Sequence, residues 1–238
     1  MVLTLSLSFG LYAQITPDQD KNYVATKTYL TPEDNSHGLT QYTKVQTQIS
    51  YVDGLGRPLQ NVAYRQGGMG GDLITHFEYD ALGREEKSFL PYNREFPTLI
   101  LDVGAATKVL NYYDDPSFGN TSNPYTETQF EPSPRGRVLK QAAPGNDWAM
   151  GGGHEVKYGY RFNQANTVYL FELSLSGTLP ELSGVSYYGA NQLAQHTVYD
   201  ENNTTSNTKG AVVTFTDKNG RVVLKRHYTT LSGRFSEP

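Results

Sequence analysis

Asp53-Gly54-Leu55-Gly56-Arg57 returns as Asp80-Ala81-Leu82-Gly83-Arg84 and again as Asp217-Lys218-Asn219-Gly220-Arg221. A degenerate copy, Ser133-Pro134-Arg135-Gly136-Arg137, keeps the polar first position, the glycine and the arginine. An aromatic residue precedes each copy: Tyr51, Tyr79, Phe130 and Phe215. The glycines Gly56, Gly83, Gly136 and Gly220 are 27, 53 and 84 residues apart, close to one, two and three units of about 27 residues, the mark of an internal repeat. Tyr-Asp pairs without Gly-Arg, at Tyr113-Asp114 and Tyr199-Asp200, mark where missing copies are expected.

The spacing has a local physical meaning. In Asp-x-x-Gly the aspartate side chain accepts a hydrogen bond from the backbone two residues on, opening a type I turn. The glycine then takes the left-handed conformation that strains other residues. A type I turn followed by a left-handed residue is a common hairpin connection. Each copy therefore predicts a strand, a tight turn and a returning strand such as Arg137-Val138-Leu139-Lys140. The arginine after the turn is expected to reach a carboxylate or carbonyl of the neighbouring hairpin.

The rest of the chain also reads as strand. Val45, Thr47, Ile49 and Tyr51 alternate with Lys44, Gln46, Gln48 and Ser50, the period of a half-buried antiparallel strand. Thr167, Tyr169, Phe171, Leu173 and Leu175 repeat it, as do Val222, Leu224, Arg226 and Tyr228. Helical character is weak and short, at Ala105 to Leu110. With 18 tyrosines in 238 residues the composition suits pleated surfaces. The fold expected is all-β: a meander of antiparallel hairpins, open at one or both edges as an open sheet or partial shell.

Charge narrows the function classes. The net charge is −4 and the sequence pI is about 5.7, with no basic footprint for nucleic acid and no polybasic run for anionic membranes. Cysteine is absent, which removes disulfides, thiolate nucleophiles and Cys-ligated metals. Met1 to Ala13 is apolar and uncharged and gives way to the polar Gln14 to Lys21. It is too short to span a bilayer and reads as a signal peptide cleaved near Ala13, the alternative being a hydrophobic first strand. The missing basic segment ahead of it implies a start codon placed late.

Catalytic patterns are not found. His37, His76, His154, His196 and His227 are scattered without a zinc-ligand spacing. Gly67 to Gly71 lacks the Gly-Lys-Ser/Thr ending of a phosphate loop and reads as a connection between strands, as does Gly151 to Gly153. His154-Glu155 reads as a polar strand start. Asp217 to Gly220 resembles the start of a calcium loop, but the twelfth position is Tyr228 rather than glutamate. Asp114-Asp115 and Asp200-Glu201 have no partner acid at an informative spacing. No Gly-x-Ser-x-Gly elbow occurs. Trp148, with Tyr187-Tyr188, could stack on a sugar, although packing beneath a loop is the commoner fate.

Phe77-Glu78-Tyr79-Asp80-Ala81-Leu82-Gly83-Arg84 resembles the YD repeat of the RHS family: Tyr-Asp, two variable residues, Gly-Arg and an apolar strand. Around it the sequence is similar to the N-terminal module of unknown function that precedes the repeats in large exported RHS proteins of Gram-negative bacteria. The matching stretches are Asn22 to Thr28, Tyr51 to Leu59, Ile74 to Asp80, Leu90 to Tyr92, Arg137 to Trp148 and Asp217 to Arg226. The resemblance implies a β-ribbon wound into a hollow shell that, in polymorphic-toxin members, holds an effector. It departs from that pattern in having no long repeat array, self-cleaving motif or effector domain, so a fragment or the leading part of a split gene is expected. The organisation expected is a signal peptide over 1–13, an RHS-associated module over 14–145 and a second β segment over 146–238.

Three functions follow as expectations. The first is a non-catalytic structural segment, secreted or at the cell surface, without cofactor or metal. Its partners would be downstream RHS repeats or an effector domain of the same or a neighbouring chain. Its key residues would be the turn motif Asp53, Gly56, Arg57, Asp80, Gly83, Arg84, Gly136, Arg137, Asp217, Gly220 and Arg221. The second is a cell-surface carbohydrate- or protein-binding module using tyrosines and loops such as Asn202 to Asn207. The third is a glycan-active enzyme, which would need converging acids in a cleft.

Overall fold

The computed structural model describes residues 16–30, 43–203, 209–231 and 234–235. Met1–Ala13, where a signal peptide is expected, and residues 204–207 of the expected loop Asn202 to Asn207 lie outside them. The fold is all-β with antiparallel sheets, and among the described residues no barrel closes. No helix among them is long and apolar enough to cross a membrane. The chain divides into two compact units, Met1–Glu78 with Ser88–Pro124, and Tyr79–Lys87 with Tyr125–Pro238. The division read from sequence, between Gly145 and Asn146, falls inside the second unit.

In the first unit, β1 (Asn22–Tyr29), β2 (Val45–Val52), β3 (Pro58–Ala63) and β4 (Asp72–His76) form a meander. After β5 (Lys87–Phe89), β6 (Tyr92–Arg94) joins at the edge of β4, giving the order β1-β2-β3-β4-β6. The alternation read in β2 is real: Val45, Thr47, Ile49 and Tyr51 are buried while Gln46 and Gln48 are exposed. Val62 and Ile74 continue that buried face on the next strands.

Helix α1 (Ala105–Tyr113) contributes Ala105 and Val109, four residues apart and therefore on one face. It runs three residues beyond the expected Leu110. Tyr113 donates its hydroxyl to the Pro91 carbonyl (2.7 Å), and Tyr112 packs against Tyr92 and Phe118. Such contacts are invisible to local propensity.

Polar groups secure the irregular segment before the helix. The Tyr51 hydroxyl donates to Leu99 O (2.7 Å) and accepts from Asp18 N (3.0 Å). Gln60 donates to Asp102 O and accepts from Asp102 N (3.0 and 2.7 Å). Asp72, fully buried, accepts from the amides of Arg65 (2.9 Å) and Thr98 (2.7 Å) and from the Arg94 guanidinium (2.6 Å). Tyr92 donates to the Asp102 carboxylate (2.5 Å), and burial, then that carboxylate, pushes its hydroxyl pKa well above the ordinary tyrosine range.

In the second unit, six strands lie in the order β14-β13-β12-β9-β8-β7. They are β7 (Tyr125–Phe130), β8 (Val138–Ala142), β9 (Val156–Phe162), β12 (Ala194–Tyr199), β13 (Val212–Thr216) and β14 (Val222–His227). Val168, Leu193, Val213 and Phe215 form a buried cluster, with Leu224 and Tyr228 against it. The remaining hairpin, β10 (Tyr169–Ser176) with β11 (Leu179–Tyr187), is a separate two-stranded sheet. Its alternation matches the sequence reading but its burial does not. Phe171, Leu173 and Leu175 are 63, 67 and 76% exposed, and among the described residues no other strand joins this sheet. A last short pair joins β15 (Thr230–Leu231) to β16 (Arg234–Phe235).

Three hairpins share one irregularity. The register shifts between Tyr51 and Val52, between Gln129 and Phe130, and between Phe215 and Thr216. Each shift is a β-bulge whose extra residue, Leu59, Leu139 or Val223, lies on the returning strand just after the corner.

Asp72 carries the heaviest polar load in the first unit. Asp72→Ala strands a nearly buried guanidinium and two amides, and removing one partner of a buried pair costs about 3–5 kcal/mol. Urea denaturation is expected to show that loss, with a smaller one for Asp72→Asn.

Candidate functional site

Three corners have one geometry. At the first, Asp53 Oδ1 accepts from the amides of Leu55 (2.8 Å) and Arg57 (2.9 Å), and Asp53 Oδ2 accepts from Arg57 Nε (2.7 Å). Gly56 N donates to Asp53 O (3.0 Å), Asp53 N donates to Arg57 O (2.9 Å), and Gly56 has φ +79°. Asp80, Gly83 and Arg84 repeat every one of these bonds, with φ +77° at Gly83. Asp217, Gly220 and Arg221 do so again, with φ +80° at Gly220.

The first partner of each arginine is thus the aspartate of its own turn, four residues back, rather than the neighbouring hairpin alone. The amide of that arginine, then its guanidinium, holds each of the three carboxyls below the ordinary carboxylate range, against the opposing effect of burial.

The degenerate copy is a longer version of the same corner. Gly136 is left-handed (φ +67°), and Ser133 Oγ accepts from Arg135 N (3.2 Å). The acid paired with Arg137 is Glu131, whose Oε2 accepts from Arg137 Nε (2.8 Å), while Glu131 N donates to Arg137 O. Phe130 pairs with Val138 across seven intervening residues, where Val52 pairs with Pro58 across five. Glu131 therefore occupies the aspartate position, following Phe130 as Asp53 follows Val52. The sequence signal was an acid displaced two residues upstream of Ser133.

Arg84 also makes the expected inter-corner contact. Its Nη1 donates to Glu131 O (3.2 Å) and Ser133 O (3.4 Å), and its guanidinium lies over the Phe130 ring at 4.6 Å. One corner is thereby fastened to the next.

The suspected missing copies divide. Tyr113-Asp114 is the end and cap of α1, not a corner. At Tyr199-Asp200 the turn survives: Asp200 Oδ1 accepts from Asn202 N (3.2 Å), and Asn203 N donates to Asp200 O (3.1 Å). Asn203 stands where the other corners have glycine.

Of the remaining sequence candidates, Gly68–Gly70 forms a 3-10 turn between β3 and β4, as the connection reading expected. Glu155 is buried at the start of β9 and accepts from Gly151 N (2.6 Å), closing the glycine loop. Trp148 is 40% exposed and packs on the His154 ring. Tyr187 stacks on Tyr169, whereas Tyr188 packs against the buried cluster. Asp115 accepts from Ser117 N (2.8 Å) and caps a 3-10 turn. Among the described residues no group of three or more ligating side chains could hold a metal.

One concavity draws on the second unit's sheet. Lys157, Arg161, Gln195, Thr197, Tyr199 and Asn203 line a cavity of about 300 Å³ across β9 and β12. Its described lining carries two cations and no carboxylate.

The corners generate two expectations. Gly56 has open space where a Cβ would sit, so Gly56→Ala costs only the left-handed conformation, about 1–2 kcal/mol. Gly54→Ala, equally open and without positive φ, is expected to be near neutral, and thermal melting of the two variants checks the difference. Because the corner carboxyls are depressed in the folded chain, their contribution is complete above the unfolded value of about 3.9. It is lost as pH falls through the folded values. Urea midpoints are therefore expected to drop below about pH 4, and less steeply in a D53N/D80N/D217N variant.

A family model described as Domain of unknown function (DUF6443) matches residues 25–162, ending with β9. No curated protein and no solved structure matches the chain. The match spans more than half of the 238 residues and takes in three of the four corners, and the chain belongs to this DUF6443 family.

Proposed function

We propose that this chain is a non-catalytic structural segment of an exported RHS (YD-repeat) protein, a stretch of β-shell near its N-terminal end. The observation that carries the reading is Arg84, which closes its own corner on Asp80 and grips the backbone carbonyls of Glu131 and Ser133. A contact of this kind, repeated, stacks hairpin on hairpin and needs no side-chain complementarity beyond one guanidinium. The partners it calls for are further YD repeats, or an effector domain, in the same or a neighbouring chain. The resemblance of Phe77 to Arg84 and of Arg137 to Trp148 adds export from a Gram-negative cell and kinship with polymorphic-toxin carriers.

A second reading, a surface binder of glycan or protein, is favoured by the cavity over β9 and β12 with its amide, hydroxyl and cationic lining. Mixing the chain with a separately produced YD-repeat array distinguishes the two. The scaffold reading expects slowed amide exchange along Val222–His227 and at the Asp217–Arg221 corner. Unchanged exchange there, together with glycan-array retention abolished by Arg161→Ala, would assign the chain to the binder class.

A further inference from the structure

We propose that the hairpin β10–β11 carries a self-association surface, and that a second copy of this chain covers it. The inference rests on the hairpin's own face and not on the scaffold reading above.

The two strands gather an apolar set on one face. Tyr169 faces Tyr187 and Phe171 faces Val185; after a register shift between Glu172 and Leu173, Leu173 faces Leu182 and Leu175 faces Pro180. Residues directly opposite one another share a face, so this side is wholly apolar. The shift decides it. Without the shift, Ser183 would lie opposite Leu173 and Leu182 would turn to the other side, since a one-residue slip exchanges faces. The reverse face is mixed: it holds Glu172, Ser174, Ser176, Glu181 and Ser186 with Leu170 and Leu179 at its two ends, and Ser186 Oγ donates to the Glu172 carboxylate (2.8 Å).

The apolar side is uncovered. Its side chains from Tyr169 to Tyr187 are between 44 and 76% exposed. A hairpin standing alone is marginally stable in water and needs a third strand or a packed face. At about 150–250 Å² for a fully exposed aromatic and somewhat less for leucine or valine, the three aromatics Tyr169, Phe171 and Tyr187 with Leu173, Leu175, Leu182 and Val185 present on the order of 700 Å² at their observed exposure. That exceeds the about 300–600 Å² of the largest patch on a typical monomer. It approaches the about 800 Å² each partner gives a stable interface.

Charge selects the occupant. No lysine or arginine lies between Thr167 and Tyr188, and both acids sit on the reverse face. Anionic headgroups and nucleic acid, which are held by cations, therefore find no purchase. A second copy meets this face about a two-fold axis with like against like, at the about 10 Å separation of stacked sheets, leaving Glu172 and Glu181 in water.

The chain has no cysteine, so single cysteines report the contact directly. Leu173→Cys, near the middle of the apolar side, is expected to cross-link to its counterpart in a second chain. Ser174→Cys, one residue on and facing away, is expected not to. Light scattering is expected to show a dimer, weakened at least about tenfold by Leu173→Ser with Leu182→Ser, with far-UV circular dichroism unchanged. Equal cross-linking from positions 173 and 174 would overturn the proposal. So would a monomer at the highest soluble concentration, or a monomer that floats with zwitterionic vesicles.

Discussion

A single carboxylate saturated by two backbone amides and one guanidinium is what allows this chain to reverse direction. At Asp53, Asp80 and Asp217 the same oxygen takes the amides two and four residues on, and the other oxygen takes the arginine. The corner is closed within five residues. Its formation needs nothing from the rest of the protein, so strands can be laid down pairwise from local contacts. Where the spacing changes, the chemistry persists: Glu131 and Arg137 hold the same bracket around a loop two residues longer.

The first unit adds a less local device. Between β6 and α1 the backbone has no sheet partner, and buried amides and carbonyls without partners are costly. Side chains from the sheet supply them. Tyr51 meets Leu99, Gln60 pairs twice with Asp102, and Asp72 binds Thr98 and Arg94. These bonds join residues 22 to 48 positions apart, and they make Gln60, Asp72 and Asp102 core residues despite their polarity.

That contrast explains what sequence could and could not reveal. The corners were legible because Asp-x-x-Gly-Arg is a self-contained turn, and the β2 face was legible because its alternation coincides with burial. The arginine's first partner was missed although it lies four residues back, since the same aspartate had been assigned to the turn amides alone. Asp72 carried no signal, because its partners at 65, 94 and 98 meet it only once the sheet exists. The exposure of β10 was unreadable for the opposite reason. Alternation reports which side a residue takes, not whether anything lies over that side.

The bulge behind three of the corners has a geometric outcome of its own. An extra residue on the returning strand sharpens the right-handed twist of the ribbon at that point. Here the extra residues are Leu59, Leu139 and Val223. Each of these three hairpins then gains the same local right-handed twist. Twist of this kind is written into the motif itself rather than into contacts made far along the chain.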